Sequence, residues 1–163
     1  MNHVKKFALI LLTLIPILAG CLINFVILVP IIGTLFFYIF PLLVLTFWFW
    51  LGGQYAKTDW KALPAILIGS ASGILSLALY LWQFVGQNAE SRNLFLAGLS
   101  QMYSLSTPVY LVARVAVLFE TRPDDMGQTT AIAMQILSLI LMIAVFSAGF
   151  FWSRKHCTKK NEV

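Results

Sequence analysis

Arg114 is the one charge that an apolar stretch of this sequence could carry into a membrane, and an ionisable group at that depth is a functional candidate by default. Read as a single helix, Asn93, Ala97, Ser100, Ser104, Thr107, Leu111, Arg114, Leu118 and Thr121 recur every three or four positions, forming a small, polar stripe. With Ser104 and Thr107 beside it, Arg114 would hold an anion or a lipid headgroup, or line a wet path. The plainer expectation is preferred: an interfacial amphipathic helix whose arginine reaches headgroup phosphates. Glu120 lies six positions on, off the Arg114 face, so helical spacing does not pair the two.

Other chemistry is sparse. There is no HExxH, GxSxG, CxxC or phosphate-binding glycine loop. His3 and His156 lack metal-ligand spacing. Asp124 and Asp125 are adjacent, hence on different helical faces, and serve better as a cap than as an acid/base pair. The expectation is a protein that is not an enzyme, with no catalytic residues, no metal site and no cofactor. Proton-coupled transport is poorly supported too, because such relays need Glu, Asp or His inside a span.

The composition explains this scarcity. Of 163 residues, 60% are hydrophobic and 10% charged, against roughly 45–50% and about 25% in soluble domains. An ordinary soluble globule is excluded, and 1–163 reads as a single integral membrane domain. The net charge of +5 does not imply nucleic acid, because Lys and Arg sit beside apolar runs rather than on an interleaved basic face.

The fold class expected is all-α: a polytopic transmembrane bundle of four spans, with an interfacial or re-entrant helical segment at 94–119. Five spans are the alternative. The spans fall at about 7–29, 32–51, 60–85 and 126–152, followed by a basic tail, 153–163. Pro30 and Gly33 divide the first long apolar run into two helices. Thr58 or Asp59 is placed to cap the third, and Pro123-Asp124-Asp125 the last. Segment 94–119 is long enough to cross, but it carries Arg114 and could break into two helices at Ser106-Thr107-Pro108. Arginine at a span centre costs about 2.5–3.5 kcal/mol on the insertion scale.

Charge bias favours four spans. Five would divide Lys and Arg evenly across the membrane. Four place Lys5, Lys6, Lys57, Lys61, Arg154, Lys155, Lys159 and Lys160 inside and leave Arg92, Arg114 and Arg122 outside. Both termini are then cytoplasmic, in a multi-pass protein of the cell membrane. Trp48, Trp50, Trp60 and Trp152 gather at the inner interface, where amphipathic indoles prefer to sit.

Ala65, Gly69 and Gly73 recur four apart with Ser72 and Ser76 alongside, a packing face that lets helix backbones approach within the chain or against a partner. Ala144 and Ala148 repeat the theme on the last span. Asn24, Gln83 and Gln135 read as interhelical hydrogen-bonding amides. Cys21 and Cys157 would lie toward opposite faces of the bilayer, too far apart to pair.

Leu18-Ala19-Gly20-Cys21, after Lys5-Lys6 and an apolar stretch, resembles the lipobox of bacterial lipoproteins, which implies lipidation of Cys21. The sequence departs from that pattern in running straight on through Leu22-Ile23, and an ordinary first span is the preferred reading. The partners expected are the lipid bilayer and a membrane-protein partner or self-association; nucleic acid is not expected. The functional expectation is a non-enzymatic accessory or interaction subunit, with a small oligomeric transporter or channel around Arg114 as the alternative.

Overall fold

The computed structural model describes residues 2–26, 29–88, 90–104, 106–117 and 127–160, and among these the side chains of all but 2–5, 24, 25, 117 and 158–160. Every regular element among the described residues is helical: α1 Asn2–Val26, α2 Ile32–Ala56, α3 Ala62–Gly69, α4 Ala71–Phe84, α5 Leu94–Ser104, α6 Val109–Val117 and α7 Gln128–Lys160. Three helices are long and apolar enough to cross a membrane, over Lys6–Ile23, Ile32–Ala56 and Gln128–Cys157. The α3–α4 pair, bent by 52°, makes a fourth if it is one span. Leu18, Leu22, Leu35, Leu42, Leu43, Ile140 and Phe151 point outward from these helices, which suits a hydrocarbon solvent and not water.

Several boundaries differ from those the sequence suggests, each for a local reason. Thr58 does not cap the third helix; its hydroxyl donates to Tyr55 O at 2.7 Å, closing α2 instead. The next helix starts at Ala62, with Lys61 making no side-chain cap bond. That helix breaks at Gly69-Ser70, the kind of small pair at which kinks concentrate. Helix α7 continues past Trp152 to Lys160, because no Pro or Gly interrupts 153–160 and its basic residues complement the negative helix end. The Pro123-Asp124-Asp125 cap, Glu120 and Arg122 lie outside the described residues.

Helix α2 continues through Gly52-Gly53 to Ala56 because those glycines form a helix crossing rather than a turn. A Cβ on Gly52 would fall on the Phe146 carbonyl of α7, and one on Gly149 would fall on the Phe49 carbonyl of α2. The two backbones are therefore in direct contact. Phe146, fully buried beside this crossing, packs edge-on against Tyr55 at 5.4 Å and Trp48 at 6.4 Å, with its ring tip over Gly69. Trp48, Leu51, Tyr55, Met142 and Phe150 complete a core that excludes solvent entirely.

The directions of the helices follow from these contacts. Gly69 meets Phe146 whereas Gly73 meets Met142 and Leu139, so α7 runs antiparallel to α3–α4 and parallel to α2. Lys6 lies 4.0 Å from Asp59, placing the start of α1 beside the end of α2. Lys57, Lys61, Arg154 and Lys155 share that end of the bundle. At the opposite end Gln128 Nε2 donates to Phe84 O at 2.6 Å, tying the start of α7 to the end of α4. Phe84 and Gln128, which flank segment 94–117 in sequence, thus meet at one end of the bundle.

The crossing makes a prediction about glycine. Gly52→Ala or Gly149→Ala should lower stability by about 1–3 kcal/mol through overpacking against backbone. Gly53→Ala, whose Cβ would make only ordinary contacts, with the Ser153 side chain at 3.6 Å and the Gly149 carbonyl at 3.8 Å, should change it by less than about 0.5 kcal/mol. Unfolding titrations in mixed micelles measure both.

Candidate functional site

Pro41 lies inside α2 and has no N–H, so the carbonyl four residues earlier, Phe37 O, loses its helical donor. Arg114 of α6 supplies the replacement: its Nη2 donates to Phe37 O. The guanidinium also lies over the Phe37 and Tyr38 rings, at 4.8 and 4.3 Å from their centroids. A charge that is costly in an apolar bundle is thereby held by a carbonyl and two ring faces, with Arg114 Nε left unpartnered.

The break between α5 and α6 is answered in the same way. Pro108 removes the donor for Ser104 O, which instead accepts from Thr107 N at 3.0 Å and Thr107 Oγ1 at 2.7 Å. Ser106 O accepts from Trp48 Nε1 at 2.9 Å, a fully buried bond from α2. Trp48 precedes Ala56 by eight residues, about 12 Å of helical rise, so the break sits well inside the bundle. At the rim, Asn93 Oδ1 caps α5 by accepting from Phe95 N and Leu96 N. Arg92 Nε donates to Gln83 O at 2.9 Å, satisfying the end of α4.

This geometry dissolves the continuous stripe drawn from the sequence. Ser104 ends α5, Thr107 lies in the turn and Arg114 sits on a helix running the other way, while Leu118 and Thr121 lie outside the described residues. The hydroxyls of Ser100, Ser104 and Ser138 donate to carbonyls of their own helices, Ala97, Gln101 and Met134. Arg114 and Thr107 both act on backbone, but on different carbonyls.

Ala65, Gly69 and Gly73 are covered from within the chain. The would-be Cβ of Gly69 meets the Phe146 ring and that of Gly73 meets Met142 Cε at 2.6 Å. Ala144 and Ala148 point outward, and α7 presents Met142, Phe146 and Gly149 instead. Ser72, Ser76 and Gln83 lie on another face of α4, one turn or more apart, all buried. Among the described residues, neither amide atom of Gln83 has a partner, nor do the hydroxyls of Ser70, Ser72 and Ser76. Gln135 is buried on α7, and the Asn24 side chain lies outside those described. Cys21 and Cys157 are free, near opposite ends of the bundle.

Helical spacing alone leaves Arg114 an isolated charge, with no partner on its own segment. The missing signal was the i−4 rule, which names Phe37 O as a carbonyl needing a donor. Gly52, Gly53 and Gly149 were also missed; Gly149 and Ser153, four apart, carried the only pattern that pointed to them. Compared with known proteins, the chain has no significant match to any family model, curated protein or solved structure.

Trp48→Phe should leave Ser106 O buried without its donor and cost about 1–3 kcal/mol. Trp82→Phe, at a half-exposed position on α4, should cost less than about 0.5 kcal/mol. Thermal unfolding in detergent, followed by circular dichroism, compares them.

Proposed function

We propose that this chain is a multi-pass integral membrane protein of four spans, with α5 and α6 as a re-entrant pair, acting without catalysis as an accessory or interaction subunit. The observation that carries the reading is the commitment of interior polar side chains to backbone. Arg114, Trp48 and Thr107 answer carbonyls, and the hydroxyls of Ser100, Ser104 and Ser138 turn back on their own helices. Side chains held this way brace a scaffold and are poorly placed to turn over a substrate.

Four crossings are supported by the Gln128 to Phe84 bond, which sets the two flanks of 94–117 at one end. Irregular backbone at membrane depth requires burial in protein, and the turn at 106–108 has it. Orientation follows from charge: Lys6, Lys57, Lys61, Arg154 and Lys155 mark the cytoplasmic end, so both termini face the cytoplasm of a cell-membrane protein. With Gly69 and Gly73 covered, a protein partner or second copy would meet the outward faces of α1, α2 and α7.

A second reading, a small oligomeric transporter or channel, draws on the unpartnered Ser72, Ser76 and Gln83 along α4. Buried polar atoms without partners are costly unless hydrated or ligand-bound. Under that reading Gln83→Leu abolishes solute flux in reconstituted vesicles; under the accessory reading there is no flux to lose.

Single cysteines at Asn88 and Gly127, in a background lacking Cys21 and Cys157, test the topology with a membrane-impermeant maleimide. Both should label from outside intact cells. Labelling of one from each side would establish five spans. Native-level co-purification in mild detergent tests the accessory role, and a monodisperse monomer that brings down no protein would count against it.

A further inference from the structure

A groove that is both apolar and basic lies at the Lys-rich end, between α2 and α7, with a volume of about 470 Å³. Its floor exists because Gly53 and Gly149 carry no side chains where the two helices meet. Trp50 and Trp152 form its walls, half-exposed or more, as residues at a membrane interface do. Lys57 and His156 stand at its mouth.

We propose that this groove binds one anionic phospholipid of the leaflet on the basic side, through its phosphate and a headgroup hydroxyl. The inference rests on the membrane reading above and is independent of the accessory role. Lys57 Nζ is steered to the rim by Gln54 Oε1 at 3.3 Å and supplies the cation for phosphate. His156 stacks on Trp152, with centroids 4.8 Å apart, and its Nδ1 lies 2.8 Å from Trp152 O. Because a carbonyl only accepts, Nδ1 is the donor in that contact, and Nε2 is the ring nitrogen left to face a headgroup hydroxyl. Thr46 and Phe49 continue the groove toward the bundle middle, giving an acyl chain a track along the helix seam. Basic pockets between helices on the cytoplasmic side are built for such headgroups. A zwitterionic lipid would bring its own cation to Lys57 and lose the advantage.

Native mass spectrometry of the full chain in detergent, titrated with phosphatidylglycerol, phosphatidylcholine or inorganic phosphate, tests this. The wild type should hold phosphatidylglycerol at least about fivefold tighter than phosphatidylcholine, the equivalent of roughly one lysine's worth of attraction. Lys57→Gln with His156→Gln should abolish the preference, and Thr46→Trp, which fills the groove while keeping its charges, should weaken both lipids. Lys61→Gln, the same charge loss at the same end but outside the groove, should retain the preference. Equal binding of the two lipids by the wild type, equal loss in Lys61→Gln, or displacement of phosphatidylglycerol by equimolar inorganic phosphate would each overturn the site. Binding of neither lipid would overturn the site too, while the membrane reading stands or falls on the maleimide labelling.

Discussion

A backbone carbonyl freed inside an apolar bundle must find a donor, because no water is there to supply one. Among those freed in this chain are Phe37 O, by Pro41, Ser104 O, by Pro108, and Ser106 O at the turn. Arg114, Thr107 and Trp48 answer them in that order. The Arg114 and Trp48 bonds are also the ties between α5–α6 and α2. A pair of short helices, neither long enough to cross a membrane alone, is thus held in place by bonds whose alternative is an unpaired carbonyl.

The rest of the bundle gives those ties something rigid to act against. Helices α2 and α7 touch backbone to backbone at Gly52 and Gly149, and Phe146 fills the space that Gly69 leaves open in α3. Without a hydrophobic drive between helices in lipid, close approach and interdigitation carry association. Trp48 belongs to both systems, as a ring against Phe146 and as an indole donor to Ser106 O. Arg114 and Trp48 are thereby enlisted in holding helices together.

The sequence made the helical class, the breaks near Pro30 and Ser106-Thr107-Pro108, and the close packing at Gly69 and Gly73 readable, because proline, glycine and small-residue spacing act locally. It did not reveal which helix would cover the glycines, since Phe146 is one of thirteen phenylalanines and nothing local marks it. The second span is expected to end at 51, short of Gly52-Gly53, because glycine serves both turns and crossings, and only a partner helix separates the two. Arg114 read as part of one long stripe because helical periodicity was carried across Pro108. Once the chain folds back there, Arg114 comes to Phe37, 77 positions away in sequence. Polar side chains on α4 were legible as buried but not as unpartnered, which depends on what α4 faces.

The dependence of Arg114 on Pro41 is the central claim, and a double-mutant cycle tests it most directly. Arg114→Met keeps the length of the side chain and removes the donor; Pro41→Ala restores an N–H to Phe37 O. Unfolding free energies in mixed micelles should show Arg114→Met costing about 1–3 kcal/mol in the native background, the penalty of an unsatisfied buried acceptor. In the Pro41→Ala background that cost should fall by at least about 0.5 kcal/mol, the scale of coupling between residues sharing a partner. Equal costs in the two backgrounds would contradict the account.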